Sequence, residues 1–238
     1  MTRRDSVLRW LYLTVGLTVL SIGIFAAFPR IDIAVSDAFF NRNDGFWGQG
    51  VFALQLIRRG IWLFSDGIAL LSLGLLLLSI VRPRWQVIRA RILLFMITVY
   101  VLGPGLLVNV ILKGYSGRAR PRQNIEFGGD RLYTPPLTIA DQCASNCSFV
   151  SGETSAIAAI ALVATLVFVP RLSGYWRYLT VTFAAAITLT SAILRVIFGA
   201  HFLSDTLFSI LLTALVALPL YLIFGLHKMP DLADPEDR

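Results

Sequence analysis

The chain has 238 residues, of which 56% are hydrophobic, and its mean hydropathy is +0.73. These values exclude an ordinary soluble domain, because the apolar residues form long runs without charge. The formal net charge of +7 does not indicate nucleic-acid binding, since the basic residues are dispersed at the ends of the apolar runs. That distribution suits anionic lipid head groups and a lipid bilayer, and we expect no nucleic-acid partner.

Six apolar runs are each close to the roughly 20 residues that a helix needs to cross a hydrocarbon core of about 30 Å. We predict membrane helices over residues 10–28, 61–81, 92–112, 154–170, 178–194 and 206–226. The predicted fold class is therefore all-α, a polytopic bundle of six transmembrane helices with an extracytoplasmic cap. One domain over residues 1–238 is the simplest organisation.

The first apolar run follows three arginines, so it is either a cleaved secretory signal or a retained helix. It is longer than the roughly 7–15 residues of a signal core, and residues 25–28 form a poor cleavage site, so we predict retention. Basic residues also mark the short connections at 82–91 and 171–177. The positive-inside rule makes these turns and both termini cytoplasmic. We expect an inner-membrane protein with a disordered tail at about 229–238, which follows a solvated His227.

The loops at 29–60, 113–152 and 195–205 then lie on the periplasmic side. The first is rich in aromatic residues and is predicted to lie at the membrane surface. Asp66 is placed one turn inside the second helix, where it either has a function or reaches towards the interface. The second loop holds the two cysteines, Cys143 and Cys147, which form a small disulfide or remain free thiols.

Charged residues on this side form three short clusters at the ends of apolar spans. The first runs from Lys113 through Arg120 to Pro121, the second is Ser151-Gly152-Glu153, and the third runs from Arg195 through His201 to Asp205. This inventory suits a phosphoryl group. Arginine forks bind its oxygens, a helix N-terminus offers further donors, and an imidazole can attack phosphorus.

The spacing K-x6-R-P, then S-G-x at a helix start, then R-x5-H-x3-D resembles the type 2 phosphatidic acid phosphatase superfamily. The resemblance covers roughly residues 60 to 225, and it implies a phosphohistidine intermediate on His201. The chain departs from the family pattern in its second cluster, where P-S-G-H is usual and this sequence has Val150-Ser151-Gly152-Glu153. Residues 127–153 look most like bacterial lipid A phosphatases.

We predict that His201 is the nucleophile and that Asp205, four residues later on the same helix face, accepts a hydrogen bond from its ring. Lys113, Arg120 and Arg195 are expected to clamp the phosphate and neutralise its transition-state charge. Ser151 and Gly152 are expected to bind the phosphate through backbone N–H groups at a helix start. Arg118 and Arg122 lie outside the matched positions and are candidates for binding a second anionic group of the substrate. No metal and no cofactor is expected, because cations supply the charge.

Glu153 is the third predicted catalytic residue, as the general acid that protonates the leaving oxygen. Two alternatives remain open. Glu153 can be an ion-pair partner of Arg120 or Arg195, with another group or water as the acid. The leaving group can also be good enough to need little protonation.

The predicted function is an integral membrane lipid phosphatase that hydrolyses a phosphate monoester on an anionic lipid head group. Undecaprenyl pyrophosphate, phosphatidylglycerophosphate and phosphatidic acid are alternative substrates. A lipid phosphotransferase that uses the same phosphohistidine is an alternative reaction, and a non-catalytic lipid-binding protein is a third class. No obligate protein partner is evident from the sequence.

Overall fold

The computed structural model describes residues 2–85 and 88–229, and most of the predicted disordered tail lies outside these ranges. Within these ranges, six helices are long and apolar enough to cross a membrane. They are α1 (Arg3–Ala27), α3 (Phe52–Val81), α4 (Ala90–Tyr115), α5 (Gly152–Arg171), α6 (Gly174–Ile197) and α7 (Leu203–Ile223), and a short helix α2 (Ile31–Asp37) follows α1. The predicted all-α membrane bundle is confirmed.

Several helices begin earlier than the apolar runs indicate. Helix α1 begins at Arg3 with Thr2 as its N-cap, because Thr2 and Asp5 form a reciprocal capping box. Helix α3 begins at Phe52 rather than at residue 61, so the predicted loop at 29–60 ends at residue 51. Apolar counting misses these turns because a helix continues through polar residues beyond the hydrocarbon core.

The longer α3 changes the position of Asp66, which lies near the middle of the helix and not one turn from its end. The hydroxyl of Tyr100 on α4 donates a hydrogen bond of 2.5 Å to Asp66 Oδ1. A carboxylate inside a membrane span requires such a partner. Asp66 therefore joins α3 to α4 and does not reach the interface.

Helix α5 forms the centre of the bundle, with 67% of its most apolar window buried against 11% for α3. Its buried face carries small residues, among them Ala156, Ala158 and Ala159. Small side chains let neighbouring helices approach closely in lipid, where packing replaces the hydrophobic effect as the driving force. Helices α4 and α7 pack against this face through Phe95, Val99 and Ala217.

Both ends of the described chain lie at one end of the bundle, where Arg3 Nη1 donates to the carbonyl oxygen of Met229 over 2.7 Å. Leu226 is fully buried there and His227 is half-buried, which contradicts the predicted solvated histidine. Burial lowers the pKa of His227. The chain packs back onto the bundle after α7 as far as Met229, and the rest of the predicted tail lies outside the described residues.

The opposite end of the bundle carries a cap. It consists of α2, a hairpin of β1 (Phe40–Asn41) and β2 (Gly45–Phe46), and the segment 116–151, which contains short 3-10 turns. Phe40, Phe46 and Phe127 pack with ring centroids 5.3 Å apart. A disulfide joins Cys143 to Cys147 in this cap. The cap covers the ends of α4, α5, α6 and α7, at which the three charged clusters lie.

Candidate active site

Main-chain hydrogen bonds bring the three charged clusters together. Cys147 and Ser148 donate to the carbonyl oxygens of Lys113 and Arg118 over 3.2 and 2.8 Å. Ser151 donates to the carbonyl oxygen of Asp205 over 3.3 Å. The end of α4, the start of α5 and the start of α7 are therefore held together by backbone contacts, which do not depend on the identity of the side chains.

His201 is 2% exposed and lies in the turn between α6 and α7, whose main chain is bonded back to Arg195. Its Nδ1 lies 2.8 Å from the carbonyl oxygen of Ser148. A carbonyl oxygen only accepts hydrogen bonds, so Nδ1 carries the proton and the lone pair is on Nε2. The ring is thereby oriented with a nucleophilic nitrogen free for phosphorus.

The predicted hydrogen bond from His201 to Asp205 is wrong in its geometry, since Nδ1 lies 3.7 Å from Asp205 Oδ2. His201 precedes α7, so the two residues are not one helical turn apart. Asp205 instead caps α7, accepting the N–H of Phe202 over 2.9 Å and the hydroxyl of Ser148 over 2.5 Å. Asp205 and His201 thus share Ser148 as a hydrogen-bond partner.

Burial lowers the pKa of His201 to about 3. Nearby Asp205 opposes this decrease, and the charges of Arg195 and Arg120 add to it. The imidazole is therefore neutral at ordinary pH, which is the protonation state that an attacking nitrogen needs.

Arg118 is 1% exposed and is not available to a second anionic group of the substrate, which corrects that expectation. Its Nη1 donates to Asp205 Oδ1 over 2.5 Å and its Nη2 donates to Asp32 Oδ2 over 2.8 Å. Asp32, on α2, is fully buried and also accepts the N–H of Ser204. We name Asp32, Arg118 and Asp205 the rear network, because Asp205 is near the Nδ1 atom of His201.

Burial raises the pKa of Asp32, while the guanidinium of Arg118 opposes this increase. Burial also acts to lower the pKa of Arg118, but Asp205 and Asp32 outweigh it and raise that pKa. Sequence reasoning missed Asp32 because it is one of several carboxylates in a loop and belongs to no motif. The one signal in the sequence was Arg118 itself, which lies outside the matched pattern and has no acidic residue near it in the sequence.

Lys113 and Arg120 meet at one residue, Asn146. Lys113 Nζ donates to Asn146 Oδ1 over 3.3 Å, and Arg120 Nη2 donates to Asn146 O and Oδ1 over 3.0 and 3.1 Å. Gly152 permits this arrangement, since a Cβ there would lie 3.1 Å from Lys113 Nζ and 2.7 Å from Asn109 Oδ1. The ammonium group therefore lies directly against the first turn of α5.

Ser151 is the N-cap of α5, and its Oγ accepts the N–H of Thr154 over 3.4 Å. Its hydroxyl is also 2.9 Å from the hydroxyl of Thr154. The N-terminal end of α5, with its free N–H groups and favourable dipole, points to the same end of the bundle as Lys113 and His201. This arrangement suits an anion.

Glu153 accepts hydrogen bonds from two arginines on a single oxygen. Arg58 Nη1 lies 2.7 Å from Glu153 Oε1, and Arg195 Nη1 lies 3.0 Å from the same atom. Arg195 was one of the two ion-pair partners considered for Glu153, whereas Arg120 binds Asn146. Sequence reasoning missed Arg58 because that residue was assigned to a loop. We name Arg58, Glu153 and Arg195 the front network.

The described residues include no group of three or more His, Cys, Asp or Glu side chains that could hold a metal ion. The site instead offers a neutral imidazole among arginine and lysine side chains beside a helix N-terminus. A helical membrane bundle with such a site is suited to act on the phosphate of a membrane lipid. The protein therefore belongs to the class of membrane phosphatases.

The chain belongs to the PAP2 superfamily, whose sequence model matches residues 89–228. A protein of Rhizobium leguminosarum named lipid A 4'-phosphatase is 35% identical over 198 residues, which are 77% of this chain and 83% of that protein. A protein of the same name from Francisella tularensis subsp. novicida is 32% identical over 194 residues, or 77% of this chain and 82% of that protein.

A solved structure has the same fold. It is the crystal structure of a transmembrane PAP2 type phosphatidylglycerolphosphate phosphatase from Bacillus subtilis, with a TM-score of 0.55 and 20% sequence identity. The match covers 98% of this chain and 100% of that one. At this identity the likeness shows the fold alone.

Proposed function

We propose that this membrane lipid phosphatase removes a phosphate monoester from a phosphorylated glycolipid of the lipid A type. The observation that carries the proposal is the orientation of His201, whose Nδ1 is bonded to Ser148 and whose Nε2 lone pair is free beside the clustered cations. The names of the relatives, which match most of this chain, support the lipid A assignment.

The reaction proceeds in two displacements at phosphorus. His201 Nε2 forms a bond to phosphorus, and the bond between phosphorus and the lipid oxygen breaks to release the lipid alcohol. Water then attacks the phosphohistidine, which releases inorganic phosphate and restores the neutral ring. Lys113, Arg120, Arg195 and the N–H groups that follow Ser151 bind the phosphoryl oxygens in both steps.

The front network favours the ion-pair alternative for Glu153. Its Oε1 is already shared by Arg58 and Arg195, and a group that holds two cations is poorly placed to deliver a proton. We assign Glu153 to positioning Arg195, and the leaving oxygen takes its proton from water or from the phosphate monoanion. The general-acid role stays a prediction that the Glu153→Gln variant described below can test.

We propose that the protein lies in the bacterial inner membrane. The site then faces the periplasm, and both termini are in the cytoplasm. Arg82, Arg84, Arg171 and Arg177 lie at the end of the bundle where Arg3 contacts Met229, as the positive-inside rule favours. The disulfide between Cys143 and Cys147 at the other end suits an oxidising compartment. A fluorescent C-terminal fusion and a C-terminal alkaline phosphatase fusion test this topology, and activity of the latter would contradict it.

The function is tested with purified protein and a diphosphorylated lipid A, with the lipid product followed by mass spectrometry and free phosphate measured without an added acceptor. We expect phosphate release, and a rapid-quench experiment with labelled lipid should leave acid-labile label on the protein. His201→Ala should lower turnover by more than about 1000-fold and remove the label.

The chain provides a matched control, since its other histidine, His227, lies at the opposite end of the bundle. His227→Ala should keep both activity and label. Full activity in His201→Ala would overturn the mechanism. Transfer of phosphate to a second lipid without release of free phosphate would favour the phosphotransferase.

A further inference from the structure

A polar cavity of about 390 Å³ adjoins the His201 turn. It is lined by Gln49, Gln55, Arg58, Arg122, Glu153, Arg195, Phe198 and Ala200. Ala200 precedes His201 directly, and the N–H of Arg122 donates to the carbonyl oxygen of Gly199 over 3.0 Å. The cavity is therefore fixed against the same turn that holds the nucleophile.

The cavity has more positive than negative charge. Three arginines line it with one carboxylate, and Glu153 is shared between Arg58 and Arg195. The exposed guanidinium of Arg122 has no ion-pair or hydrogen-bond partner among residues 2–85 and 88–229. Arg195 belongs to the phosphate site, so Arg58 and Arg122 are two cations beyond those that the scissile phosphate requires.

A second cavity of about 380 Å³ shares Arg58 and Glu153 with the first. It is also lined by Arg59, Trp62 and Leu63. Trp62 and Leu63 are exposed on the outer surface of α3, which is apolar and lies within a candidate membrane span. The two cavities therefore adjoin at Arg58 and Glu153, and the second has apolar residues of α3 on its other side.

We propose that Arg58 and Arg122 form a second anion subsite, which binds another negatively charged group carried by the same lipid head group. This inference rests on the proposed phosphatase function. Glu153 keeps Arg58 and Arg195 close together against their mutual repulsion, so that both guanidinium groups are in place when the substrate binds. The substrate class is therefore a polyanionic glycolipid, in which a phosphate or carboxylate accompanies the phosphate that is cleaved.

The experiment compares two acylated disaccharides that share the scissile phosphate, one with a second phosphate on the other sugar and one without it. Both are assayed in a zwitterionic detergent, so that the substrate is the sole source of lipid anions. We expect the wild type to prefer the diphosphorylated lipid by about tenfold or more in kcat/KM, through a lower KM. Arg122→Ala and Arg58→Ala should each lower that ratio by about fivefold or more.

The conservative variants Arg58→Lys and Arg122→Lys keep the charge and should retain most of the preference. Arg131→Ala is the matched control, since Arg131 is exposed on the cap and pairs with Asp130 at 3.4 Å. An equal loss on both lipids, or an unchanged ratio, would overturn the second subsite while leaving the phosphatase intact. Release of phosphate from neither lipid by the wild type would overturn the proposed function, and the subsite with it.

Discussion

Two networks of ion pairs lie near His201, and they differ in burial. The rear network of Asp32, Arg118 and Asp205 has side chains that are at most 1% exposed. The front network of Arg58, Glu153 and Arg195 has side chains that are 10 to 26% exposed. Charges that are removed from water must keep their partners, whereas partly exposed charges can exchange a partner for an incoming anion. We therefore propose that the rear network acts as a scaffold and that the front network contacts the substrate.

The largest expected effect is the loss of stability when the rear network is broken. Arg118→Ala leaves two buried carboxylates without their cation, and it should lower the free energy of unfolding by about 3–5 kcal/mol. Arg58→Ala, which breaks a partly exposed pair, should cost about 1 kcal/mol. Thermal unfolding in detergent measures both variants, and equal losses would contradict the distinction between the networks.

The next largest effect is the dependence of stability on pH through the buried ring of His201. His201 has a pKa of about 3 in the folded protein and about 6.5 when unfolded, so the unfolded state binds a proton first as pH falls. The free energy of unfolding is therefore not reduced by this group above pH ~6.5. Between pH ~6.5 and pH ~3 it decreases by about 1.4 kcal/mol for each pH unit that the pH falls. His201→Gln should show a shallower decline between pH 7 and pH 5. The same slope in both proteins would show that His201 is not held neutral.

Glu153→Gln tests the front network at its centre. If Glu153 positions Arg195, the amide keeps one acceptor oxygen, so turnover should fall less than about tenfold and KM should rise. A general acid would instead contribute about 10²–10⁴-fold to turnover. Steady-state kinetics on the lipid substrate separate these cases, and a loss in the larger range would restore the general-acid role.

The smallest expected effect is that of a chelator. In the proposed mechanism, Lys113, Arg120 and Arg195 supply the positive charge that a metal ion supplies in other phosphatases, so EDTA should change activity by no more than about twofold. Activity is measured before and after dialysis against the chelator, with magnesium added back. A large loss that magnesium restores would contradict this prediction.

Much of the fold followed from the sequence, because a span of apolar residues in lipid must form a helix to satisfy its own backbone. Each of the six predicted spans overlaps one observed helix, and errors lie at polar ends such as residues 52–60 of α3. The three charged clusters were also identifiable from spacing alone. Their convergence followed from the topology, since an even number of crossings places all three loops at one end.

The partners of the charged residues did not follow from the sequence. Arg118 pairs with Asp32, 86 positions away, and Arg58 pairs with Glu153, 95 positions away. The Ser148 carbonyl, and not Asp205, orients His201. Such pairings depend on which helix ends are neighbours and how far each side chain extends. The sequence by itself determined the helices and the chemical groups at their ends. Only the tertiary structure decided which charges are fully buried and which stay partly exposed, because burial is a property of the packed bundle.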